Sequence, residues 1–117
     1  MNNKILGSDG EKEATEYLIK NGYKIIERNF FCKRGEIDII AKDGDTIVFI
    51  EVKTRKSIKY GTPAEAVDEI KQKHIYKAAG YYLYSRNLEK EYVRIDVIEV
   101  YYKKDEHIIN HIKKAID

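Results

Sequence analysis

The chain has a single cysteine, no repeat or low-complexity stretch, and no apolar run approaching the roughly 18 residues that a membrane span needs. A lone Cys32 excludes an internal disulfide and a cysteine-based metal cluster, and it suits a reducing compartment. The polar opening MNNKILGSDGEKE does not read as a signal peptide, so the expectation is a cytoplasmic protein with no membrane partner. An excess of either charge is lacking as well: 22 basic residues face 20 acidic ones, and a formal net charge of +2 is too small by itself to specify a nucleic-acid partner.

What is present is enough apolar material for one core. At 117 residues and 43% hydrophobic, the chain suits a single domain, residues 1–117, that buries about two-thirds of its unfolded surface. The cations are unevenly placed. Lys20 to Arg34 holds five basic residues and one acid, and Val52 to Ala64 holds Lys53, Arg55, Lys56 and Lys59 with no acid. Ten tyrosines are compatible with a packed core or with base stacking.

The capping-box spacing Ser8-Asp9-Gly10-Glu11 and the Asn21-Gly22 stop predict a first helix with Ala14, Tyr17 and Leu18 inward. Glu11 stands at the N-terminal end of that inward stripe, an unusual place for a merely solvated acid. A strand at Tyr23 to Asn29, a basic aromatic loop from Phe30 to Gly35, and a strand at Glu36 to Ala41 follow. Lys42-Asp43-Gly44-Asp45 predicts a hairpin into a strand from Thr46 to Thr54. Pro63 in the capping sequence Thr62-Pro63-Ala64-Glu65 opens a long helix to about Arg86, with Val67, Ile70, His74, Ala78 and Tyr82 inward and Ile75, Ala79 and Leu83 beside them. His74 then reads as a core histidine. Strands at Tyr92 to Tyr101 and His107 to Ile112 close the chain around a Lys103-Lys104-Asp105 turn. This order of helix, three-strand meander, crossover helix and strand gives an α/β fold, a mixed β-sheet with flanking helices.

The stretch FIEVKTR, Phe49 to Arg55, ends an otherwise apolar strand with Glu51 and Lys53 on one face. A two-residue turn at Asp43-Gly44 or Gly44-Asp45 sets the hairpin register. Either choice keeps Ile37, Ile39 and Ala41 on the face of Val48, Ile50 and Val52, and puts Glu36 and Asp38 with Glu51 and Lys53. Asp38 then lies opposite Glu51 or diagonal to it. Facing carboxylates repel unless protonated or bridged by a cation, and an all-oxygen set suits Mg²⁺ or Mn²⁺. A lysine beside such an ion fits phosphoryl chemistry better than ion storage. Glu36 is either a neighbour of the ligands or solvated, and Arg94 with Asp96 reads as a structural ion pair.

Asp38 followed by Glu51-Val52-Lys53 resembles the D…ExK signature of the restriction-endonuclease-like superfamily. The segments GSDGEKEATEYL, RNFFCKRGEIDIIAKDGDTIVFIEVKTR, GTPAEAV and YVRIDVIEV are similar to the YraN-like family of small bacterial proteins, itself related to archaeal Holliday-junction resolvases. The resemblance implies a restriction-endonuclease-like core with Asp38, Glu51 and the Val52 backbone carbonyl holding Mg²⁺ or Mn²⁺. It implies Lys53 as the catalytic lysine and Glu11 as a further acid near the metal. Arg28, Lys33, Arg34, Arg55 and Lys71 are then the candidates for contact with the nucleic-acid backbone. The implied activity is metal-dependent hydrolysis of DNA, at branched or distorted sites by fold analogy, with a homodimer because two cuts need two sites. The alternative is a non-catalytic nucleic-acid-binding or repair-complex scaffold protein that keeps the fold.

Overall fold

A strand that is apolar on both faces needs cover on both sides. In the computed structural model, which describes residues 3–55, 69–103 and 106–116, the run Ile47 to Ile50 is such a strand and both covers are helices. The elements are α1 (Asn3–Lys20), β1 (Lys24–Cys32), β2 (Gly35–Asp43), β3 (Thr46–Arg55), α2 (Glu69–Ser85), β4 (Tyr92–Lys103) and β5 (Glu106–Ile116). Among the described residues the strands form one five-stranded mixed sheet in the order β1-β2-β3-β4-β5. Only β3 and β4 run parallel, and the connection between them carries α2, so the fold is α/β with a restriction-endonuclease-like core. No helix among the described residues is long and apolar enough to cross a membrane.

Each helix buries a different sheet face. Ala14 and Leu18 of α1 pack on Ile39, Ala41, Val48 and Ile50, while Ile75, Ala78, Ala79 and Tyr82 of α2 pack on Ile40, Ile47, Phe49 and Val97. The end of α1 is capped as its Asn21-Gly22 sequence predicts: Gly22 N–H donates to the Ile19 carbonyl at 3.1 Å and Tyr23 N–H to the Leu18 carbonyl at 3.0 Å. On the α1 face, Asp96 is fully buried and receives Arg94 Nε at 3.1 Å, His111 Nε2 at 2.7 Å and the Lys114 N–H at 3.0 Å. The pairing of Arg94 with Asp96 is therefore structural, and the bonds from His111 and Lys114 to Asp96 tie β4 to β5.

The structure corrects several boundaries. Helix α1 starts at Asn3, ahead of the capping sequence, since Lys4, Ile5 and Leu6 are ordinary helix formers. The expected loop from Phe30 to Gly35 is a tight hairpin: β1 runs on to Cys32, which pairs with Gly35 across Lys33 and Arg34. The buried stripe of α2 is only part of the expected one. Ile70 is 68% exposed and His74 is exposed, so His74 is not a core residue, because Ile75, Ala78, Ala79 and Tyr82 already complete the helical contact with the sheet. Residues 56–68 and 104–105 lie outside the described residues, and with them the capping sequence at Thr62, Val67, Lys56, Lys59 and the turn at Lys104.

The second hairpin takes the Gly44-Asp45 turn, with Asp43 opposite Thr46 and Ile39 opposite Ile50. A positive φ of 63° at Gly44 alone matches a type II′ turn. Ile39 and Ala41 share a core with Val48 and Ile50 as expected, but Ile37 does not. It joins Phe30, Ile40 and Phe49 on the opposite face. The cause is a reversal of side-chain alternation at Asp38, opposite which Asn29 adopts a left-handed φ of 55°, between the pairs Arg28↔Ile39 and Phe30↔Ile37.

Gly35 is required at the first hairpin for two reasons. Its φ of 156° disfavours a side chain, and an added Cβ would lie 2.9 Å from the His74 carbonyl oxygen on α2. Gly35→Ala should therefore destabilise the fold by about 1–3 kcal/mol, read as a lower urea midpoint with an unchanged denaturant slope. An unaltered midpoint would show that the hairpin does not press on α2 as described.

Candidate functional site

The sheet ladder gives way where the two acid-bearing strands meet. Backbone pairing of β2 with β3 runs from Asp43↔Thr46 to Ile39↔Ile50. One step beyond, Asp38 Oδ2 accepts the Val52 N–H at 2.8 Å, so a carboxylate takes the place of a backbone carbonyl. The reversal at Asp38 is what aims its side chain into this opening. Helix α1 is brought close by Gly10, where an added Cβ would collide with Thr54 Oγ1 of β3. That approach sets Glu11, the next residue, beside Asp38.

Two carboxyls share Asp38 as a neighbour. Glu51 is 5% exposed; burial first, and then the charge of Asp38, push its carboxyl up to about 7. Lys71 and Lys53 oppose that rise, with their Nζ atoms 3.4 and 3.6 Å from Glu51 Oε1. Glu11 is likewise raised to about 7, by burial, by the charge of Asp38 and by a hydrogen bond with it, against the pull of Arg28, whose Nη2 is 3.7 Å from Oε2. Glu36 is exposed and acts only as a weak further negative charge on Glu11.

Carboxylates crowded around one another at reduced dielectric are the donor chemistry of a hard divalent cation, and in kind Asp38, Glu51 and Glu11 fit Mg²⁺ or Mn²⁺. They are not a closed cage: among the described residues no group of three or more His, Cys, Asp or Glu side chains is arranged to hold a metal ion. The lysines supply the countercharge to Glu51 here.

The expected phosphate contacts divide into two groups. Arg28 pairs with Glu11, Lys71 with Glu51, and Arg55 Nε stands 3.6 Å from Glu99 Oε2, so these three cations have acidic partners inside the chain. Lys33 and Arg34 are exposed at the first hairpin turn. Glu99 has no part in the expected site, yet it is 3% exposed on β4 opposite Lys53, and it also receives Asn110 Nδ2 at 3.1 Å. Its signal in the sequence is the one Glu51 carries, an acid within the apolar run DVIEVYY.

These carboxyls give the metal-free protein a defined pH response. A raised folded-state value means stability that is full below about 4.5, the ordinary carboxyl value, and that is lost as pH rises toward 7. In EDTA the wild type should melt at lower temperature at pH 8 than at pH 5. Asp38→Asn keeps an acceptor for Val52 but removes the shared charge, so it should raise the melting temperature at pH 8 and flatten the slope. The expected gain is about 4 °C per kcal/mol of repulsion removed. Parallel pH profiles for the two proteins would mean that Asp38 is not the shared neighbour.

Comparison with known proteins places these residues in a family. A protein of Caldicellulosiruptor saccharolyticus, described as a UPF0102 protein, is 49% identical over 117 residues, covering 98% of this chain and 99% of its own. A UPF0102 protein of Clostridium tetani is 50% identical over 115 residues, covering 97% of this chain and 94% of its own. Among solved structures, that of Pyrococcus furiosus SfsA in complex with Ca²⁺ is similar at 12% identity and a TM-score of 0.43, over 99% of this chain and 65% of that one. The profile of the Uncharacterised protein family UPF0102 matches residues 10–100, a span that includes Glu11, Asp38, Glu51 and Lys53. The chain belongs to this family, the YraN family that its motifs resemble.

Proposed function

We propose that the protein is a metal-dependent nuclease that hydrolyses DNA phosphodiester bonds, with branched or distorted DNA as its substrate. The observation that carries this reading is the compression of Glu11 and Glu51 around Asp38, beside Lys53, at the open end of the β2–β3 ladder. Asp38, Glu51, Glu11 and the Val52 carbonyl would hold Mg²⁺ or Mn²⁺. When bound, such an ion supplies Lewis-acid chemistry and offsets charge on the phosphate. Lys53, its Nζ near Glu51 Oε1, orients the attacking water and stabilises negative charge as it develops on the phosphate oxygens. Lys33 and Arg34 at the hairpin turn hold the strand by its phosphates.

A second reading has an observation of its own. Because Lys53 and Lys71 already pair with Glu51, the fold stands as a nucleic-acid-binding or scaffold protein without turnover. The two readings separate in a melt. Under the nuclease reading, Mn²⁺ at roughly a hundred times its dissociation constant stabilises the wild type by about 2.7 kcal/mol, and Asp38→Asn loses most of that gain. An identical response of wild type and Asp38→Asn to Mn²⁺ would remove the physical basis of a metal site and favour the scaffold.

Two further outcomes belong to the nuclease reading. Lys53→Ala should abolish cleavage of labelled duplex, flap and four-way-junction DNA while leaving affinity within a few-fold, because one lysine at the acids adds little to backbone binding. Equal loss of both would contradict its role. Arg34→Ala should weaken binding to every sequence and lower the salt slope by about one. A slope that does not move takes Arg34 off the phosphate path.

A further inference from the structure

Outside the acid cluster, the first hairpin turn and α2 enclose a groove of about 500 Å³ lined by Phe31, Cys32, Lys33, Arg34 and Tyr81. It continues along α2 into a second hollow of about 320 Å³, which shares Arg34 and Tyr81 and adds Lys77, Gly80 and Tyr84. Among the described residues the lining holds three cations and no acid. It also holds three rings turned to solvent: Phe31 is 78% exposed, Tyr84 70% and Tyr81 46%. Tyr81 is held as a platform by Phe30, which lies beneath it at 6.4 Å with 28° between the ring planes.

Gly80 is the second observation. It sits inside α2, where glycine is less favourable than alanine, and an added Cβ would meet nothing within 4 Å among the described residues. Packing among the described residues therefore gives no reason for a glycine there. A flat group laid against the helix between Lys77, Tyr81 and Tyr84 would.

Exposed rings interleaved with cations match one ligand chemistry: bases that stack on the rings while their phosphates meet Lys33, Arg34 and Lys77. A duplex hides its base faces in its own stack, so only unpaired nucleotides present them. A second copy of this chain fits poorly, because a two-fold interface through this surface would set its cations against themselves. We infer that the groove binds a single-stranded segment of nucleic acid. Taken with the nuclease reading, on which this last step rests, the substrate carries unpaired nucleotides next to the bond that is cut.

The test measures affinity in EDTA, where no cleavage occurs, by fluorescence anisotropy of a labelled oligothymidylate and of a blunt duplex of equal length. Phe31→Ala and Tyr84→Ala should each lower single-strand affinity about tenfold and duplex affinity less than about twofold, since stacking on an aromatic is lost only where a base face is free. Gly80→Ala should raise the melting temperature, through helix propensity, and still weaken single-strand binding; a purely structural glycine would not move the two in opposite directions. Equal losses on both DNAs, or none, overturn the groove. So does sedimentation showing that Phe31→Ala turns a dimer into a monomer while single-strand affinity holds. Failure of the groove with Lys53-dependent cleavage intact leaves the nuclease reading standing. Groove-dependent binding without cleavage in Mn²⁺ removes that reading and keeps the groove.

Discussion

A carboxylate buried in an apolar strand must be protonated, paired or bridged, and Glu51 imposes that requirement on everything around it. The sheet cannot satisfy it alone, because Asp38, its charged neighbour from β2, is an acid too. Countercharge comes from β3 itself through Lys53 and from α2 through Lys71, while α1 delivers a third acid on the other side. The two helices cover opposite faces, and the place where both can reach is the end of the β2–β3 ladder. Asp38 can mediate between the faces because side-chain alternation reverses at its own position.

Much of this geometry is legible in the sequence. The period of two in Ile47 to Lys53, the Gly-Asp turn and the apolar partners Ile39 and Ala41 leave few registers, and the structure takes one in which Asp38 extends the ladder toward Glu51. What escapes such reading is whatever breaks the period. The left-handed Asn29 moves Ile37 to the other core, and no local pattern announces it, since asparagine is as common in turns as in strained strand positions. The exposed part of the expected α2 stripe escapes for a different reason. Ile70 and His74 satisfy the helical spacing as well as Ile75 and Ala79 do, and only the sheet decides which stripe is buried. The acid of β4 shows the reverse case: Glu99 is as visible as Glu51 in the sequence, but its partners Arg55 and Asn110 come from other strands.

The small net charge acquires a meaning from these pairings. Arg28, Lys53, Arg55 and Lys71 spend their charge against acids of the same chain, so the count over 117 residues says little about the field a ligand meets. That field is set locally by Lys33 and Arg34 on a tight turn, whose position against α2 depends on a glycine that leaves room for the His74 carbonyl. A two-residue turn pinned in this way presents its side chains in a fixed direction, as a flexible loop of the same composition would not.

The contact between Asp38 and the Val52 N–H also bears on the order in which the chain can assemble. Its partners are 14 residues apart and joined by a tight turn, so the hairpin brings its acids together through local closure. The parallel pairing of β3 with β4 closes only after the chain has returned through α2, and Lys71 arrives with that helix. Local closure thus favours contact between the acids ahead of the non-local step that brings Lys71, and a hairpin without α2 lacks that counter-ion. Electrostatic relief is in this way coupled to the slowest kind of strand pairing the fold contains, and it rewards completion of the sheet over a hairpin that stops halfway.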